Sequence, residues 1–110
     1  MSYASSALLQ EICDNLGGTV EEGSDYLEVR TLRGIVAAVE GEAAESDYER
    51  IELLRAWLAA TGEAEADADG YEEIEVLRAV AVNYEASVPE GSEYEAVRVL
   101  QGIRDATAEE

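Results

Sequence analysis

Tyr3, Tyr26, Tyr48, Tyr71 and Tyr94 recur at intervals of 22 or 23 residues, and counting forward from each tyrosine aligns most of the chain. The likeness is plainest between "SDYERIELLRAW" at residues 46–57 and "DGYEEIEVLRAV" at residues 69–80. A fixed period restricts a chain to folds that use one small unit several times. Six positions after the tyrosine stand Leu9, Leu32, Leu54, Leu77 and Leu100; nine after it stand Ile12, Ile35, Trp57, Val80 and Ile103. Offsets three, six, ten and thirteen return to one side of an α-helix, because 3.6 residues make a turn. Each segment therefore reads as one amphipathic helix. The expected fold class is all-α, a compact five-helix array or bundle built from single-helix repeats, with helices over 3–16, 26–40, 48–61, 71–86 and 94–107.

The helix starts carry capping chemistry. Ser46, Asp69 and Ser92 each stand three residues before Glu49, Glu72 and Glu95, the spacing of a capping box that satisfies two backbone N–H groups reciprocally. This places each tyrosine in a first turn. Gly17-Gly18, Gly41 and Gly62 mark helix ends, where a left-handed residue closes the last turn, and Pro89 interrupts the fourth connection. Short connections suit antiparallel neighbours. The stretch "TVEEGSDYLEVRTL" also alternates like a strand, which weakens the second helix.

Offsets eight, eleven and twelve are small in the middle segments: Gly34, Ala37 and Ala38, then Ala56, Ala59 and Ala60. Small residues permit close packing, although alanine also serves a solvent face through helix propensity. The first segment carries Glu11, Asp14 and Asn15 instead, as expected of the wet outer face of a terminal unit. Helices 2 to 4 are then central.

At 110 residues the chain fits a single helical domain spanning 1–110. Its 26 acidic and 7 basic residues give a net charge of −19, and all the basic residues are arginine. Such a surface repels phosphate backbones and anionic lipid, which excludes direct nucleic-acid binding and membrane association. With no apolar run of spanning length and no signal-like N-terminus, a soluble cytoplasmic protein is expected, or a virion component if the source is viral.

The chemistry-bearing residues are few. The chain has no histidine and one cysteine, so histidine-dependent triads and the usual zinc sites are absent, and no catalytic residue or cofactor is assigned. Cys13 falls on the apolar stripe and reads as a small hydrophobe. Glu72, Glu73 and Glu75 read as solvating the start of the fourth helix. In "EADADGYEEIEV", Glu65, Asp67, Asp69 and Glu73 occupy places one, three, five and nine of a calcium loop, but the twelfth place is Val76, so they make only a weak metal candidate. Arg33, Arg55 and Arg78 recur seven places after a tyrosine, where their stems cover the core edge and their heads meet carboxylates. Trp57 and Tyr84 are expected in the core.

The function class that fits is a non-enzymatic acidic helical protein acting through protein binding or assembly, salt-adapted, with a viral structural or accessory role as one setting. Its partner is a protein with a cationic surface, and homo-oligomer formation is open to it. The alternative is a nucleic-acid mimic that inhibits a DNA- or RNA-processing or defence protein. Carboxylates spread over connections and helix faces alike favour the first reading.

Overall fold

A computed structural model describes residues 3–42, 49–66 and 72–108. The described residues form helices α1 (Tyr3–Asn15), α2 (Leu27–Ala38), α3 (Glu49–Thr61), α4 (Glu72–Asn83) and α5 (Glu95–Ala108), and no strand. The stretch that alternates like a strand splits between an irregular connection and α2.

Helices that follow one another in sequence pack together, and α5 packs on α1. The array is therefore a closed ring. An open row of five helices at 8–10 Å spacing would reach roughly 45 Å, whereas the longest extent is 35 Å. Closure removes the terminal units expected from the sequence: α1 has two helical neighbours, like α2 to α4.

The neighbours run parallel, not antiparallel. At the start of the helices, Arg50 of α3 pairs with Glu28 of α2 and Glu73 of α4. At their ends, Asn83 of α4 reaches Leu58 and Thr61 of α3, and Asn15 of α1 reaches Arg104 and Thr107 of α5. A parallel neighbour obliges the chain to travel back the length of a helix before starting the next. Connections such as residues 16–26 and 84–94 are long enough, since an extended residue spans ~3.3 Å and a helical one ~1.5 Å.

Inside the ring, all five leucines at offset six and all five residues at offset nine are buried. Leu8, Thr31, Leu53, Val76 and Val99 at offset five complete one hydrophobic core drawn from all five helices, in which Thr31 satisfies its hydroxyl by donating to Leu27 O at 2.7 Å. Each fully buried leucine or isoleucine contributes about 1.5–3 kcal/mol before entropy is counted.

Three helix ends share one closure. Gly17 and Gly18, Glu40 and Gly41, and Glu85 and Ala86 donate their N–H groups back into the last turns of α1, α2 and α4 in paired bonds of the Schellman kind. The left-handed residue is Gly17 in the first, but Glu40 (φ 59°) and Glu85 (φ 56°) in the others. Gly41 therefore takes part in closing α2 through its N–H but is not the left-handed residue expected there, and Gly62 takes no left-handed conformation. Gly62 is small for another reason, since a methyl group there would lie 2.5 Å from Asn83 Oδ1.

Helix α1 begins at Tyr3 as expected, and α2 to α5 begin one residue later than expected. Arg30 N–H donates to Tyr26 O and Arg98 N–H to Tyr94 O, so these tyrosines precede the first turn and hold the N-cap place. The side chain of Tyr26 makes no capping bond. The boxes expected at Ser46 and Asp69 lie outside the described residues.

Offset eight explains the small residues. Gly34, Ala56, Ala79 and Gly102 are buried there, while Ala37, Ala59 and Val82 at offset eleven face solvent. A methyl group on Gly34 would lie 2.2 Å from Thr19 O, and one on Gly102 would lie 2.5 Å from Ser87 O, because the connection entering each helix crosses its back at that point. Close approach decides offset eight and helix propensity suffices for offset eleven. Gly34→Ala provides a test, because propensity alone would stabilise α2 by up to ~1 kcal/mol. Overlap with a backbone carbonyl outweighs that, and urea denaturation should show a net loss of about 1–3 kcal/mol.

Candidate functional site

The start of the ring is lined at offset two by Ser5, Glu28, Arg50, Glu73 and Ala96, all buried or half-buried. Arg50 stands between Glu28 and Glu73 and ties three helix starts together. The Glu28 side chain is only 12% exposed. Burial pushes its pKa above the ordinary carboxylate range, and the guanidinium of Arg50 offsets part of that rise. Carboxylates at this end also meet the positive ends of parallel helix dipoles.

A second belt links each helix to the next. Arg33 bonds Glu49 through Nε at 2.8 Å, and Arg55 with Glu72 and Arg78 with Glu95 repeat the pairing one and two units on. Offset seven of one helix thus meets offset one of the next, as expected of arginines at the core edge. Arg33 additionally pairs with Asp25 at 2.8 Å. Arg30 and Arg98 pin connections instead, donating to Asp25 O at 2.9 Å and Glu93 O at 3.1 Å. Arg104 reaches Glu11 at 3.6 Å and Asp105 at 3.1 Å. All seven arginines are engaged within the chain.

These pairings absorb the acidic residues singled out for chemistry. Glu72, Glu73 and Glu75 bind Arg55, Arg50 and Arg78 respectively. Of the metal candidates, Glu65 is exposed in the connection after α3, Glu73 holds Arg50, and Asp67 and Asp69 lie outside the described residues. Among the described residues no group of three acidic or cysteine side chains is placed to hold a metal ion. Cys13 is fully buried, and burial, then Asp14, raise its thiol pKa, which keeps it protonated. Trp57 is fully buried and donates its indole N–H to the Tyr84 hydroxyl at 3.1 Å. Both aromatics serve the core.

Among the features left on the outside are carboxylates, tyrosines, the aliphatic side chains of Leu27, Val82 and Val88, and two kinds of groove. Tyr26 and Tyr94 are 85% and 82% exposed. Open clefts of about 480 and 460 Å³ flank Tyr26, sharing Val29 and Arg50 in their walls. A third cleft, about 320 Å³, lies between α1 and α5, lined by Glu11, Asp14, Asn15, Arg104 and Ala108. Sequence reasoning missed both features. Offset zero falls opposite the inward face at 100° per residue, which was signal enough for exposed tyrosines. The α1–α5 cleft depends on ring closure, which no local pattern announces. No helix among the described residues is long and apolar enough to cross a membrane. Comparison with known proteins yields no matching family model, no matching curated protein and no matching solved structure.

Two substitutions separate the straps by burial. Arg50→Met strands the buried Glu28 carboxylate and should lower stability by about 2–4 kcal/mol, whereas Arg55→Met, at a half-exposed pair, should lower it by less than about 1 kcal/mol; chemical denaturation measures both. The Glu28 shift carries a pH signature. A folded-state pKa above the unfolded value means that protonation favours the folded state, so this group's stabilisation is complete below the unfolded pKa and is lost as pH rises through the folded one. Glu28→Gln should therefore be more stable than the parent at pH 7 and should flatten the stability gain on acidification towards the ordinary carboxylate pKa, read by thermal melts across that window.

Proposed function

We propose that this protein is a non-enzymatic, salt-adapted binding or assembly module that engages a protein partner with a cationic surface. One observation carries the reading: every arginine is engaged in holding a helix or a connection, so the charge available to a partner is carboxylate. A chain with 26 acidic groups and no lysine keeps no cation for an anionic ligand. The setting is a salt-accumulating cell or a virus that assembles in one. Molar salt shortens the Debye length to about 3 Å, which removes most of the repulsion among these carboxylates while hydration keeps the surface soluble.

Binding then works by electrostatic complementarity in the approach and by aromatic contact at the end. Long-range attraction orients a cationic surface and raises the association rate. The exposed rings of Tyr26 and Tyr94 supply rigid, amphipathic contact area of the kind enriched at binding hot spots.

Stability should depend strongly on salt. Between about 10 mM and 1 M KCl the Debye length falls from ~30 Å to ~3 Å, and relief of about 2 kcal/mol of repulsion would raise the melting temperature by roughly 8–15 °C for a domain of this size. Circular dichroism melts measure it. A melting temperature unchanged across the range would remove salt adaptation. Competition with DNA for a nucleic-acid enzyme, preserved at physiological salt, would replace the reading with mimicry.

A further inference from the structure

The belt that joins each helix to the next is broken on both sides of α1. Arginine at offset seven meets glutamate at offset one from α2 to α3, from α3 to α4 and from α4 to α5. Where α1 meets α2 the same offsets are Gln10 and Leu27, and where α5 meets α1 they are Gln101 and Ala4. Both glutamines bond within their own units instead, Gln10 donating to Ser6 O at 3.3 Å and Gln101 to Glu93 Oε2 at 3.4 Å. The deeper strap bypasses α1 as well, since Arg50 ties α3 to Glu28 of α2 and Glu73 of α4. Helix α1 carries no basic residue and, unlike α2 to α5, no carboxylate in its first turn. Among the described residues its ion pairing is a single contact, Glu11 with Arg104 at 3.6 Å.

What holds α1 is apolar burial and its last turn. Leu8, Leu9, Ile12 and Cys13 are buried in the core, and Asn15 donates to Arg104 O at 3.1 Å and Thr107 Oγ1 at 3.2 Å of α5. Nearer its start, the cleft of about 480 Å³ is bounded by Ser6 of α1 and by Leu27 and Val29 of α2. Past the last turn, Gly17 takes φ 79° with open space around it, and Gly18 follows. From Thr19 onward the connection belongs to α2. Thr19 O lies against the back of Gly34, Glu21 N–H donates to Arg30 O at 3.2 Å, and the Glu21 carboxylate meets Arg33 at 3.3 Å. A rotation at Gly17–Gly18 therefore moves α1 while these contacts stay in place.

We infer that α1 is a releasable helix, which swings out of the ring about Gly17–Gly18 while α2 to α5 stay strapped together, and so uncovers the apolar faces of α2 and α5. Folds open locally where the fewest interactions must be given up. Release of α1 forfeits the burial of Leu8, Leu9, Ile12 and Cys13, returns the conformational entropy of one helix, and leaves no buried charge without its partner. Release of α2, α3 or α4 would separate Arg50 from Glu28 or Glu73, which is far more costly in a buried setting. The inference is independent of the partner chemistry proposed above and assigns the route by which the core becomes accessible.

Cys13, the sole cysteine, is buried on α1 and reports its release directly. The test labels the full chain with dithionitrobenzoate and compares it with Cys13→Ala/Ala81→Cys, which moves the thiol to the same offset on α4, a helix strapped on both sides. With each rate scaled to that of the urea-unfolded chain, Cys13 should label at least about thirty-fold faster than the introduced thiol, with a shallower urea dependence than global unfolding. Gln10→Arg with Leu27→Glu installs the missing belt pair and should slow Cys13 labelling about two- to five-fold. Hydrogen exchange on the unsubstituted chain keeps the test independent of the variants. There the amides of α1 should exchange as one group ahead of those of α3 and α4, while the Glu21 N–H keeps the protection of α2. Labelling of both thiols at one scaled rate, with the urea slope of global unfolding, would overturn the releasable helix. Loss of Glu21 protection together with α1 would overturn the hinge at Gly17–Gly18.

Discussion

The common direction of the helices is the constraint from which the rest of the structure follows. Five rods that point the same way cannot be joined by tight turns, so each connection must run back along the ring before the next helix begins. That return path needs somewhere to lie. It lies across the following helix at offset eight, where Gly34 and Gly102 let a backbone carbonyl approach closer than any side chain would permit. The ring then fixes its own electrostatics, because equivalent offsets on neighbouring helices come level. Arginine at offset seven finds glutamate at offset one three times over, and Arg50 finds two carboxylates at its own offset. An antiparallel arrangement of the same helices would scatter these pairs.

Much of the interior was legible in the sequence, because its pattern is local. The leucines at offset six and the large residues at offset nine define a helical face through spacing alone, and burial follows for all ten. The arginines were legible for a related reason: a long side chain beside an apolar stripe has few places to put its charge other than a carboxylate. Direction and closure were not legible. An apolar stripe reads identically whether its neighbour runs up or down, and Glu11, Asp14 and Asn15 look like the outer face of an end unit until α5 is seen against them. Asn15 carried the one hint, since it shares offset twelve with Asn83, but two asparagines in five units fall short of a pattern.

The helix ends show how chemistry at one residue hides behind another. Gly41 draws attention as a helix terminator, yet the left-handed conformation belongs to Glu40, with a penalty on the order of 1 kcal/mol for its Cβ. Gly41 is needed one step later, where a methyl group would lie 3.1 Å from Ala56 O. The glycine was a sign of close packing between a connection and α3. Gly62 teaches the same lesson against Asn83.

Parallel dipoles bear on the distribution of charge, and through it on binding. Side by side, helices of one direction repel through their aligned ends, and the chain answers at one end only: α2 to α5 all have glutamate in the first turn, and no helix has a cation in the last. The start of the ring is therefore neutralised by Glu28, Glu49, Glu72, Glu73 and Glu95, which are in turn held by arginines. At the opposite end, partial negative charges from the helices add to Glu40 and Glu85, and the one arginine near the helix ends, Arg104, is already shared by Glu11 and Asp105. An evenly acidic composition thus becomes an uneven field once folded, weakest where the arginines strap the helix starts and strongest where the helices finish. Under the proposed function, that field directs a cationic partner towards the end of the ring where the helices finish.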